Sequence, residues 1–191
     1  MTDLLLHTCC GPCSTVVVPA WRERGVEPVG WFENPNVQPA VELERRLESM
    51  RRYGRAAGLE LVLPESGREA PAWRAWREDL LEATPGERCA VCLGLRLGAA
   101  GAAARDLGFA RFSTTLTVSP YQRHDLIRAA GERAADEHGV DFVYLDARER
   151  FRHTYAESRR LELYRQPYCG CAASKWDSWN ERRERRRRRT A

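Results

Sequence analysis

His7-Thr8-Cys9-Cys10-Gly11-Pro12-Cys13-Ser14 places three thiols within five residues, directly after the apolar run Leu4–Leu6. A short apolar run without alternation has the pattern of a strand covered on both faces, as in a parallel sheet. Val16 to Arg24 then read as a helix, so the cysteines fall on a strand-to-helix turn. The N–H groups and positive dipole end of a helix start favour an anion, including a thiolate-bound cluster, and lower the pKa of a thiol. Adjacent Cys9 and Cys10 do not suit ordinary disulfide geometry. A metal or a distant partner is the better use for them, and filling a strand end as small apolar groups is the plain alternative.

The rest of the chain bounds the chemistry. At 191 residues one domain is expected, covering 1–180, followed by an Arg-rich tail over 181–191 that is expected to be disordered. No run of about 20 apolar residues offers a membrane span, and the N-terminus lacks a signal-peptide pattern; a cytoplasmic protein with no membrane partner is expected. Seven cysteines grouped as CCxxC, CxxC and CxC match metal or redox chemistry in a reducing compartment better than a secreted disulfide framework. The net charge of +4 is concentrated in the tail, where Glu181 to Arg189 holds seven arginines and two glutamates. Such a block is a solvated appendage or a contact for nucleic-acid phosphates.

Along the chain, strand candidates at Glu27–Phe32, Leu59–Leu63, Phe109–Thr117 and Asp141–Leu145 follow the first one. Helical spacing over Ala40–Ala57, Ala72–Leu81, Leu93–Leu107 and Asp125–Glu137 separates them, and Phe151–Trp179 supplies two more helical stretches around Tyr168-Cys169-Gly170-Cys171. This alternation predicts an α/β fold: a doubly wound, mainly parallel five-stranded sheet with a Cys-rich metal site at the strand carboxyl ends. Over Ala40–Ala57, Val41, Leu43, Leu47, Met50 and Tyr53 read as the apolar side and the Glu/Arg alternation as a solvated face. Trp73, Trp76, Leu80 and Leu81 read as core or lid packing. His7 reads as a hydrogen-bonded core residue, and His124, His138 and His153 as surface or helix-end residues.

Four thiolates from Cys9, Cys10, Cys89 and Cys92 suffice for an iron-sulfur cluster or a tetrahedral zinc; adjacent cysteines fit zinc less well, since four-thiolate zinc sites commonly use two CxxC pairs. Cys169-Gly170-Cys171 has the form of a redox pair storing two electrons, or of further metal ligands. Cys10-Gly11-Pro12-Cys13 is the thioredoxin tetrapeptide, but Cys9 precedes it where thioredoxins have Trp, and four other thiols stay unexplained. A thiol-disulfide oxidoreductase and a zinc-stabilised RNA-binding module are therefore the alternatives. No Walker loop, HExxH or GxSxG is present.

The motifs LLLHTCCGPCS, FENPNVQP followed by ELERRLE, ERCAVCLGLRL, FSTTLTVSP and LYRQPYCGC, in this order, resemble the cobalamin-independent epoxyqueuosine reductases, the QueH family. The resemblance implies an oxidoreductase with a sheet like that of the adenine nucleotide α-hydrolase (HUP) fold. It implies two-electron deoxygenation of epoxyqueuosine in the anticodon loop of tRNA, the last step to queuosine, with electrons from a donor the residues do not identify. By position, Cys9, Cys10, Cys89 and Cys92 would hold a 4Fe-4S cluster, and Cys169 with Cys171 would be the catalytic redox pair. Cys13 would be a ligand of an adjacent mononuclear metal ion, iron. Asn34, Asn36, Ser119, Tyr164, Arg165 and Gln166 would contact substrate. The chain departs from the family pattern at Gly11, at Glu33, and in the loop after Pro120, where Arg123 stands in for a Lys.

Overall fold

A computed structural model describes residues 4–63, 71–80 and 82–190 of the chain. Leu4–His7 forms β1, whose three leucines and histidine are all fully buried, as an unbroken apolar run demands of a central strand. β2 (Val29–Trp31) and β4 (Arg111–Thr114) flank it, with β3 (Leu61–Val62) and β5 (Asp141–Phe142) at the edges. The order β3-β2-β1-β4-β5 and the parallel pairing throughout are those of a doubly wound sheet, as expected.

Alternate residues of β1 feed two cores. Leu4 and Leu6 pack with α1 (Gly11–Arg22) and α2 (Ala40–Ala57), while Leu5 packs with α4 (Pro85–Asp106), α5 (His124–His138) and Phe112 of β4. α3 (Pro71–Asp79) brings Trp73 and Trp76 into a third, smaller cluster with Leu80, Cys92 and Ala173, so these aromatics are core, as read; Leu81 lies outside the described residues. α6 (His153–Arg160) lies against α1, and α7 (Ala172–Thr190) closes the chain. The chain reverses its direction of travel across the sheet between β1 and β4, and the carboxyl edge at such a switch point is where open α/β sheets bind ligands.

Several boundaries differ from expectation for local reasons. α4 starts at Pro85, because Thr84 and Glu87 form a reciprocal capping box and proline is tolerated at a helix start. Cys89 and Cys92 therefore ride on its first two turns. α1 likewise starts at Gly11, with Cys10 as its N-cap. The strand expected to run to Thr117 ends at Thr114, whose hydroxyl accepts from the Leu116 N–H at 3.2 Å and opens a 3-10 turn over Thr115–Val118. The Arg-rich tail, expected to be disordered, continues α7 to Thr190: arginine and glutamate are good helix formers, and Glu181 and Arg185 sit one turn apart. On α2, Val41 is half exposed while Glu42 and Arg46 are buried, so the charged residues are not simply a solvated face.

Gly11 lets α1 start directly against α2. A Cβ there would stand 2.6 Å from the Ser49 backbone carbonyl oxygen and 2.7 Å from its hydroxyl. Since a backbone atom cannot swing aside, Gly11→Ala must push the two helices apart. The expected cost is about 1–3 kcal/mol, read as a lower urea midpoint at unchanged slope; an unchanged midpoint would show that the contact relaxes freely.

Candidate metal and redox centre

At the exit of β1 the Sγ atoms of Cys9, Cys10 and Cys13 lie within 4.8 Å of one another. Cys10 caps α1 and Cys13 sits in its first turn, so one backbone bend delivers all three. Cys9 is further fixed by Thr115: the Cys9 N–H donates to the Thr115 hydroxyl at 2.9 Å, and that hydroxyl lies 3.2 Å from the Cys9 sulfur. The Gln166 side-chain N–H donates to the Cys10 sulfur at 2.9 Å.

These thiols share their protons unequally. Burial opposes charge on Cys10, but the S–H groups of Cys13 and Cys9, a backbone N–H of Cys13 and the Arg46 guanidinium outweigh it and hold the Cys10 thiol well below its ordinary range. The hydrogen bond with Cys10 raises Cys9 to about 11, and the same neighbours with burial raise Cys13. Of the three, Cys10 therefore gives up its proton most readily. Because Cys10 is fully buried, a bulky disulfide partner has no path to it, which tells against the thioredoxin reading of the tetrapeptide.

A second group of thiols gathers around α4 and the loop before α7. Burial, with the nearby Cys169 and Cys171, raises the Cys89 thiol, and burial pushes Cys92 up to about 12. Cys171 packs against the Trp73 and Trp76 cluster beside Cys92, whereas Cys169 is exposed and accepts a hydrogen bond from Gln122 at 3.2 Å. Among the described residues, only Cys9, Cys10 and Cys13 come within one ion's reach of one another; Cys89 and Cys92 stand outside that group. Arg96, 3 % exposed, links the two groups, since its charge acts on both Cys9 and Cys92.

The second buried guanidinium, Arg46, ties the loop down. It donates to Glu42 at 2.8 Å, to the Cys169 carbonyl at 2.7 Å and to the Tyr168 carbonyl at 3.0 Å. Glu42 in turn accepts from the Tyr164 hydroxyl at 2.6 Å. Gly170, at φ +156°, passes within reach of Asn36: a Cβ would lie 2.9 Å from the Asn36 Nδ2. Arg46, Glu42, Arg96, Thr115 and Gln122 were not singled out from the sequence. Glu42 and Arg46 share the buried side of α2 with Ser49, Met50 and Tyr53, but their charge reads in the sequence as a solvated face.

The expected substrate residues divide by what they touch. Gln166 meets the Cys10 sulfur. Asn34 is buried, donating to the Thr8 carbonyl at 2.9 Å and accepting from Arg96 at 2.6 Å. Asn36 is buried with its Oδ1 unpartnered. Tyr164 is held by Glu42, Arg165 donates to Thr154 at 2.9 Å and lies over Tyr155 at 3.7 Å, and Ser119 accepts from the Tyr121 N–H at 3.3 Å. His7 is a core histidine: its Nδ1 pairs with Thr114 at 2.8 Å, and burial with the Arg96 charge lowers its pKa to about 3, leaving a neutral ring. His124 opens α5 between the Ser119 carbonyl and the Tyr144 hydroxyl.

The donor set fits a metal cluster. Soft sulfur ligands converge, two buried arginines offset their charge, and the buried atoms His7 Nε2, Asn36 Oδ1, Arg96 Nε and Gln166 Oε1 are left without hydrogen-bond partners around the thiols. Removing Arg46 strands Glu42 and two carbonyls. Arg46→Met is expected to lose about 3–5 kcal/mol and to speed amide exchange across 166–171, with Glu42→Gln added to it recovering part of the loss; exchange in that loop at the wild-type rate would contradict the clasp.

Residues 4–177 match the family model described as Epoxyqueuosine reductase QueH. A protein of that name from Dehalococcoides mccartyi is 35% identical over 178 residues, covering 93% of this chain and 95% of its own length. The one from Thermotoga maritima is 31% identical over 178 residues, covering 91% of both chains. Among solved structures, a predicted subunit of tRNA methyltransferase from Methanocaldococcus jannaschii shares the fold with TM-score 0.54 at 13% identity, over 82% of this chain and 75% of that one.

Proposed function

The chain belongs to the epoxyqueuosine reductase QueH family and is an oxidoreductase of tRNA queuosine biosynthesis, and within that activity we propose a division of labour among its seven thiols. Cys9, Cys10, Cys89 and Cys92 hold a 4Fe-4S cluster, Cys13 is free for an adjacent iron, and Cys169 with Cys171 form the redox-active pair. The substrate is tRNA carrying epoxyqueuosine in its anticodon loop. The observation that carries this reading is the convergence of Cys9, Cys10 and Cys13 at the sheet's carboxyl edge, with Arg46 joining it to the Cys169 loop.

The cluster, when bound, supplies single electrons from an external donor. Deoxygenation needs two electrons and two protons: the epoxide oxygen leaves as water and a carbon-carbon double bond remains. The Cys169 and Cys171 dithiol provides both when its two S–H bonds give way to one S–S bond, and the donor then restores it. Cys169 is exposed where an RNA loop can reach it, and Cys171 sits against the apolar cluster beside Cys92. Gln166 is oriented by its bond to the Cys10 sulfur, and its Oε1, like the Asn36 Oδ1, is left without a partner inside the site. Arg46 and Arg96 keep negative charge at the thiols tolerable in a buried site.

Incubating the oxygen-free protein with epoxyqueuosine-containing tRNA and a one-electron chemical donor should yield a nucleoside lighter by one oxygen atom. Cys169→Ser should abolish repeated turnover. Full steady-state activity in Cys169→Ser would remove the dithiol from the mechanism.

A further inference from the structure

α7 leaves the body of the molecule immediately after Cys171, and its first turns are fastened there. Ala173 is buried in the Trp73 and Trp76 cluster, Asp177 pairs with Arg88 of α4 at 3.1 Å, and the Ser178 hydroxyl donates to the Pro167 carbonyl at 2.9 Å. Its side chains then turn from anchoring to display. Trp176 and Trp179, 61% and 45% exposed, stack on each other with centroids 5.2 Å apart and planes 26° apart. Arg183 lies over the Trp179 ring at 5.4 Å. Beyond them residues 181–188 are all exposed and carry six arginines against two glutamates. Arg182, Arg183, Arg186 and Arg187 share one shallow face with Trp179.

We propose that α7 is a docking rail for the anticodon arm of tRNA, in which the tryptophan pair stacks on unpaired loop bases and the arginines beyond it grip the phosphates of the stem. The inference rests on the tRNA substrate proposed above. At 1.5 Å per residue, the tryptophans lie about 8–12 Å from Cys171 along the helix, and Arg182 to Arg187 about 17–24 Å from it. Stacking surface nearest the thiols and a net excess of positive charge farther out is the order that an arm presents: an unpaired loop holding the target base, then a duplex recognised through its backbone. Two other occupants fit less well. From Asn180 to Thr190 the helix has no apolar residue, so beyond the two tryptophans it has no face to sink into a bilayer, and a second copy of so basic a helix would be repelled.

The test is binding of an unmodified tRNA transcript to the full chain across a range of salt. Replacing Arg182, Arg183, Arg186 and Arg187 together by Gln keeps helix-forming residues and removes four charges. The slope of log affinity against log salt should become shallower by up to about 3. Trp179→Ala, which changes no charge, should weaken binding by about 5- to 150-fold at an unchanged slope. Wild-type affinity and slope in both variants would overturn the proposal, and so would a loss confined to binding of phosphatidylserine vesicles. If the wild-type protein binds tRNA with the predicted dependence on α7 yet makes no queuosine, the rail stands and the proposed activity falls.

Discussion

Negative charge buried at the carboxyl edge of a parallel sheet has to be balanced where it sits, and much of this structure follows from the two guanidinium groups that do so. Arg46 and Arg96 are 2% and 3% exposed, and both act on the thiols at the exit of β1. Long side chains with a flat, multiply donating head do this at a distance from their own helix, which lysine's single point charge cannot match. Arg46 spends its remaining donors on Glu42 and on two carbonyls of the loop that carries Cys169. The same residue that helps to lower the buried Cys10 thiol therefore also sets where the exposed thiol stands. Arg96 does the equivalent for Asn34, which in turn holds the Thr8 carbonyl just before the cysteines.

The fold frame was legible because its signals are local. Four consecutive buried residues in β1, the helical spacing of α2 and the alternation of strands with helices each depend on near neighbours, and the five-stranded parallel sheet follows from them. The thiols were legible for the same reason, since their spacing is written in the chain. What the sequence concealed was the use of charge. A Glu and an Arg four residues apart on a helix read as a solvated pair, and only the packing of the Tyr164–Cys169 segment over α2 turns them into a buried clasp. The early start of α4 was hidden by Pro85-Gly86, which reads as a turn until Thr84 and Glu87 are seen to cap it. The helical Arg-rich tail was concealed by its composition, which resembles a disordered segment although each residue favours a helix.

The likeness in fold to a predicted subunit of tRNA methyltransferase at 13% identity shows that this fold is not tied to one sequence. On that scaffold this chain carries cysteines at two helix starts, α1 and α4, and in the loop before α7. Helix starts supply N–H groups and a positive field, but burial outweighs them at Cys89 and Cys92, whose thiols are raised, and in the first group only Cys10 is held low.

The central claim is that thiols from α1 and α4 serve one cluster although they stand in separate groups here. Iron and acid-labile sulfide content of protein purified without oxygen, compared between the wild type and Cys89→Ser, tests it most directly. A bound 4Fe-4S centre predicts about four irons and four sulfides per chain in the wild type and their loss in the variant. One zinc per chain with no sulfide, persisting after iron-sulfur reconstitution, or an iron content untouched by the substitution, would contradict it.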